Sequence, residues 1–519
     1  MTPEPDLVLI NGRVYPDSKP NHTAEAIAIL QGLVLSIGPT NDILRLKSTK
    51  TKSIDLKGRV VLPGLTDSHI HLLNYGMLLH NLDFSNSKSV KDIQRKVSQT
   101  CASRTASDWI LGRGWDDEKL QEHRYPLKQD LDEVTSNPVF LKRVCGHVAV
   151  ANSTALRISD ISSETPDPDG GTIMRNPDGT PNGVLKERAI GLVEKNIPES
   201  RKEISRALIL ASRKLAKLGL TSLHCIIGDA GEFSALQMLK REGKILQSIY
   251  AVIPVTLLGQ LSSLGFATDC GDNEFRIGGV KLFLDGSMGA HTAALNEPYS
   301  DEPSTSGMIT ITKEELKELA AKSKDAGFQM CIHAIGDRAV NLAIETIKHN
   351  FGTEGTRRLR HRIEHVSLAN TTAVKRMQKL GIIASVQPRF VLSDTWAEAR
   401  LGPKRIGHLY SFATMIETGI VLAAGSDCPV EDPNPFEGIW SAVARPGLED
   451  DEGLTVSQAL VAYTSGAAFA SHSERTQGVL SPGMFADLVV VDRDPFEVSP
   501  ESLRRTRVLK TFVRGKEVA

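Results

Sequence analysis

The sequence is poor in the features that mark specialised chains. Its 519 residues hold six cysteines (Cys101, Cys145, Cys225, Cys270, Cys331 and Cys428), far apart and with no Cys-x-x-Cys pair. That usage argues against a disulfide framework or a thiolate zinc site and suits a reducing compartment. Neither sign of charge dominates: 61 basic and 62 acidic residues leave a net charge of −1. A domain-wide field for nucleic acid or an anionic membrane is therefore missing. No run approaches the ~18 consecutive apolar residues of a membrane span. The opening Met1–Asp6 is acidic and broken by proline, without the basic and apolar regions of a signal peptide. A cytoplasmic protein is expected, with a small molecule as substrate and a homo-oligomer, a dimer, as its assembly. What is present, 24% charged and 40% apolar residues, is the makeup of an ordinary globular enzyme of about three domains.

Turn-punctuated strands occupy both ends of the chain. Asp6–Pro16, Ala26–Gly38 and Ser53–Leu62 read as hairpins, and Gly478–Pro495 and Val508–Gly515 repeat the texture. One small β domain assembled from both termini is expected, two unrelated β appendages being the alternative. Between them, apolar strand runs alternate with amphipathic stretches such as Glu199–Gly219 and Thr312–Gly327. The strand runs are Val60–His71, Pro138–His147, Leu220–Ile227, Gly278–Gly286, Phe328–Asp337, Arg360–Val366, Gly381–Pro388 and Ile420–Pro429. Eight strands with intervening helices predict a (β/α)8 barrel; a doubly wound sheet would not need eight. Two inserts, residues 73–137 with Trp109–Leu120 and residues 160–188 with two turn-rich segments, read as substrate walls, lids or surface decoration.

The polar residues of interest end those strands, where barrel enzymes keep their active sites. His69 and His71 are spaced i, i+2, so the pleat turns both imidazoles to one side as a clamp for a divalent metal. Lys281, His333, His365 and Asp427 end four further runs. Each alone reads as a polar strand end, and Lys281 as a snorkelling lysine; five strand ends each offering a metal-type ligand do not. A lysine beside cations would be neutral, and able to take up CO2 as a carbamate.

With those residues placed, Val61–Leu72, the Lys281 strand, His333–Ala339, Arg362–Val366 and Gly425–Val430 together resemble the amidohydrolase superfamily. Gly114–Leu120, Gly146–Leu156 and Gly170–Glu187 look like its family 3, the YtcJ-like branch that includes N-substituted formamide deformylases. The resemblance spans essentially the whole chain, including the return at Gly483–Asp492. It implies an α/β fold, a distorted (β/α)8 TIM barrel over residues 63–474 with a small β-sandwich domain built from residues 1–62 and 475–519. It also implies one or two divalent ions, zinc first. His69 and His71 would hold the more buried metal, a carbamate on Lys281 would bridge, and His333 and His365 would hold the second. Asp427 would touch the metal-activated water and serve as general base.

Substrate-side residues are less constrained. His147, after the second predicted strand, could bond the substrate carbonyl or its oxyanion, or be structural. Trp115 and Asp116 could wall the pocket, or Trp115 could pack the insert. His224 and Asp285 suit the orientation of ligands, while Gln387 and Arg389 could face the site. The expected activity is hydrolysis of a non-peptide C–N bond in an amide or formamide. The alternatives are a cyclic amidase or deaminase of the same superfamily, or a non-catalytic binding member. Lys281 weighs against deaminases, which tend to dispense with it, and no ligand is missing as a binding member would require. No Gly-x-Ser-x-Gly elbow supports a serine hydrolase.

Overall fold

The structure, a computed structural model, describes residues 3–519 apart from 103, 144–146, 198–200 and 449–450. The chain divides into two compact units, Met1–Tyr75 with Leu208–Ala519, and Gly76–Ala207.

The larger unit holds eight parallel strands: β1 Leu65–Ile70, β2 Leu220–Ile226, β3 Ser248–Pro254, β4 Phe275–Phe283, β5 Met330–Ala334, β6 Arg362–His365, β7 Ile383–Val386 and β8 Leu422–Ala424. They pair in chain order. Ile70 bridges Cys428, and the Asp427 N–H donates to the His69 carbonyl at 2.7 Å, which brings the last strand back to the first. Every residue of β1 and β2 is buried, as parallel strands covered on both faces must be. Local signals end the intervening helices. Thr312 and Glu315 form a capping box ahead of Lys313–Asp325. Asn370 opens Thr371–Leu380, and Gly381 closes it in the left-handed region at φ 79°.

The expected number of barrel strands holds, but not the membership. Pro138–His147 is realised as Val139–Arg143 and lies in the sheet of the smaller unit, parallel to Ile110–Trp115 and antiparallel to Val148–Ala151. Its place in the barrel is taken by β3, which pairs with β2 and β4. Both are short apolar runs, and local pattern cannot say which sheet such a run joins.

Two further sheets complete the larger unit. One orders Leu33–Gly38, Ala26–Leu30, Leu7–Ile10 and Lys52–Asp55. The other orders Arg13–Val14, Val60–Pro63, Leu488–Val491, Val508–Val513 and Lys516–Glu517, so both ends of the chain share it. Leu9, Ile27 and Ile29 of the first sheet share a core with Val61, Leu488 and Phe512 of the second, making a small β-sandwich.

The smaller unit gathers both expected inserts around one six-stranded sheet. Its order is Gly171–Arg175, Pro181–Glu187, Val148–Ala151, Val139–Arg143, Ile110–Trp115 and Leu82–Asp83. Phe84, Trp115, Leu141 and Val150 pack one of its two apolar cores. Among the described residues, no helix is long and apolar enough to cross a membrane.

Candidate metal centre

The barrel strands bring the six expected ligands together at their C-terminal ends. His69 sits in β1 with His71 just past it, Lys281 in β4, His333 in β5, His365 at the end of β6, and Asp427 in the turn after β8. Ligand atoms of His69, His71 and Asp427 all lie within 4.8 Å of one another. Asp427 Oδ1 is 3.2 Å from His71 Nε2 and 3.5 Å from His69 Nε2. Lys281 Nζ is 3.3 Å from His69 Nε2. The His365 ring lies 5.0 Å from that of His69 and 4.5 Å from that of His333, centroid to centroid. His365 and Asp427 take φ values of 75° and 56°, left-handed conformations costing about 1–3 kcal/mol each that a surrounding structure must enforce.

Hydrogen bonds fix which nitrogen each imidazole presents. His69 donates from Nδ1 to Glu364 Oε2 at 2.6 Å, leaving Nε2 for Lys281 and Asp427. His365 donates from Nδ1 to Gln387 Oε1 at 2.7 Å. His333 Nε2 bonds the Gly286 carbonyl at 3.1 Å, leaving Nδ1 as its lone-pair nitrogen. Such partners set the tautomer and the basicity of a metal-binding histidine. Glu364 in turn takes two hydrogen bonds from Arg362, at 2.8 and 3.0 Å. Arg362 also donates to the Ser68 carbonyl, Ser385 Oγ and His224 Nδ1.

Protonation follows burial and charge. Burial, with Lys281 nearby, lowers His69 to about 4 and His333 to about 3. Burial also lowers Lys281 from its usual range, against the pull of Glu364 and Asp427. Burial would raise Glu364, but Arg362 and His69 hold it well below the usual carboxylate range. Burial would raise Asp427 too; His69, His71 and His365 outweigh it, so the net direction is down. At neutral pH His69 and His333 therefore offer neutral imidazoles and Asp427 an anionic carboxylate, the donor types that zinc takes. This donor set, with the tautomers of His69, His333 and His365 fixed by their hydrogen-bond partners, fits a divalent cation.

The remaining expected residues are placed as follows. His224 belongs to the second barrel strand, not the third, and is buried against Arg362. Asp285 accepts the backbone N–H groups of Ala294, Ile335 and Gly336, and Oδ1 lies 3.5 Å from His333 Nε2. Burial raises its carboxyl to about 6. Gln387 is the partner of His365, whereas Arg389 is bound to Glu431 and Glu437. In the smaller unit, Trp115 is fully buried and donates from its indole to the Leu141 carbonyl, so it packs the insert rather than walling a pocket. Asp116 accepts from Arg143 at 2.9 Å. His147 ends no barrel strand; it is exposed and paired with Glu187 at 3.0 Å, and Gly146 of its Gly-His motif lies outside the described residues. Arg362 and Glu364 went unnoticed in the sequence. Their signal was two opposite charges at i, i+2 immediately before a strand-end histidine.

A nearly closed parallel barrel with this cluster at its C-terminal end is the architecture of a metal-dependent hydrolase. The chain belongs to the amidohydrolase family, whose model matches residues 52–519. It is 32% identical over 531 residues to YtcJ of Bacillus subtilis (strain 168), covering 98% of each chain. It is 27% identical to the N-substituted formamide deformylase of Arthrobacter pascens, covering 99% of this chain and 98% of that one. Among solved structures, a metal-dependent hydrolase from Pyrococcus furiosus superimposes with a TM-score of 0.83 at 33% identity, over 95% of this chain and 100% of that one.

Proposed function

We propose that this hydrolase cleaves a non-peptide C–N bond of a linear amide or formamide, with Asp427 as general base. The convergence of His69, His71 and Asp427 on one point beside a buried Lys281 carries the reading. The full-length likeness to a formamide deformylase supports the substrate class. His69 and His71 would hold a zinc ion, and His333 and His365 a second. Lys281 would serve between them as a carbamate: its neutral amine attacks CO2, an N–C bond forms and one proton leaves. Bound there, divalent zinc acidifies water and polarises the scissile carbonyl.

The chain's own groups do the rest. Glu364, Gln387 and the Gly286 carbonyl hold three imidazoles in fixed tautomers, so no reorganisation is needed during turnover. Asp427 is anionic at neutral pH and lies 3.2 Å from His71 Nε2, which supports the reading that it takes the proton of the attacking water. It then delivers that proton to the leaving nitrogen, which would otherwise depart as an amide anion.

Metal analysis and one substitution test this. Purified enzyme should carry close to one or two equivalents of divalent metal. Asp427→Asn should cut kcat by about 10²–10⁴-fold while the histidines retain the metal. Full turnover in that variant would remove Asp427 from the mechanism. A metal-free, active enzyme would remove the mechanism itself.

A further inference from the structure

The histidines of the centre are backed by unlike partners. His69 donates to Glu364, whose charge is held by the buried pair with Arg362. His365 donates to the amide oxygen of Gln387 at 2.7 Å, and His333 to the Gly286 carbonyl at 3.1 Å, both uncharged. Asp285 Oδ1 lies 3.5 Å from His333 Nε2, but that carboxylate is engaged by the backbone N–H groups of Ala294, Ile335 and Gly336 at 2.9, 3.1 and 2.9 Å. A carboxylate behind an imidazole raises its basicity towards a metal, and a neutral carbonyl raises it less.

The convergence of ligand atoms differs in the same direction. Those of His69, His71 and Asp427 lie within 4.8 Å of one another, the one such group of three among the described residues. His333 and His365 stand outside it, as a pair with rings 4.5 Å apart. Gln387 is 2% exposed, and its Nε2 is buried with no hydrogen-bond partner among the described residues. A buried donor without a partner is costly, and a glutamate of the same length would carry none. The amide at this position thus holds the Nδ1 proton of His365 without placing a charge behind the ring.

We propose that the two metal positions are unequal: the one built on His69 and His71 binds first, the one built on His333 and His365 binds more weakly, and Gln387 is the positioning residue that sets the weaker affinity. This order rests on the metal-hydrolase reading and deepens it. At limiting metal the protein holds one ion, on the histidines beside Asp427, and the second position fills only as free metal rises.

The test is calorimetric titration of the metal-free protein with zinc alone, its steps assigned with His365→Ala. Two steps are expected, the first tighter by about 10-fold or more, and His365→Ala should delete the weaker one. Gln387→Glu places a carboxylate behind His365 and should tighten the second step by about 10-fold, with the first unchanged. Gln387→Ala removes the acceptor and should loosen the second step alone; if that variant does not fold, the near-isosteric Gln387→Glu decides. Equal steps in the native protein, loss of the tighter step in His365→Ala, or a second step that neither Gln387 variant moves would overturn the proposal. A single equivalent that survives His365→Ala supports the order, and Gln387→Glu should then recruit a second; its failure to do so would remove Gln387 from the account. No zinc uptake by the native protein would sink the metal reading and this order with it, whereas uptake in the wrong order sinks the order alone.

Discussion

Glu364 shows what a single residue contributes that its letter does not announce. It is fully buried, ion-paired with Arg362 and bonded to His69 Nδ1. The convergence of the histidines, Lys281 and Asp427 was legible because type and spacing at strand ends bring such groups to one end of a barrel. Glu364 was not, because its partner lies 295 residues away in sequence. Glu364→Gln keeps the shape but removes the charge that orders the His69 N–H and balances Arg362. The expected result is about 10–100-fold weaker metal binding, read by competition with a chelator, and a loss of about 3–5 kcal/mol from the unpaired guanidinium. Since the metal-free protein shares that loss of stability but not the metal step, the two effects separate. Native metal affinity in a destabilised variant would show Glu364 to be purely structural.

At the scale of elements, the site depends on how β1 and β8 are clamped. Asp67 of β1 accepts the Ser426 N–H at 3.0 Å and the Ser426 hydroxyl at 2.5 Å, and so anchors the turn that carries Asp427. Gly425 makes that approach feasible, because a Cβ there would lie 2.5 Å from the His69 nitrogen and 2.7 Å from Asp67 Oδ1. Gly425→Ala should push the turn away from β1 and cost about 10²-fold in kcat, as small displacements of catalytic groups do. Circular dichroism should report the barrel intact; unchanged kcat would mean the turn is set by something other than this contact. The same scale explains what the sequence hid. Seven of the eight predicted runs form barrel strands, and the miss exchanged Pro138–His147 for β3. A run such as Val139–Phe140–Leu141 is equally at home in either sheet, and only its long-range partners decide.

At the scale of the molecule, the sandwich ties both chain ends to the barrel, and one buried carboxyl sits at that junction. The Asp487 carbonyl accepts the Gly64 N–H at 2.8 Å just before β1, while its side chain accepts the Arg514 N–H at 2.7 Å. Oδ2 is buried without a hydrogen-bond partner among the described residues. Burial raises the carboxyl from 3.8 to about 6, although the Arg514 bond and charge oppose it. The folded state therefore binds this proton more tightly than the unfolded chain does. The contribution to stability is full below pH about 4 and is lost as pH rises through about 6, a total of about 3 kcal/mol. Asp487→Asn keeps an acceptor for Arg514 and removes the ionisation. Relative to the native protein, it should gain stability on going from pH 5 to pH 8, because it no longer has a charge to bury. Urea unfolding of the metal-free protein at both pH values reads the difference directly. A native protein and a variant with the same pH slope would show that Asp487 keeps its ordinary carboxylate behaviour at the junction.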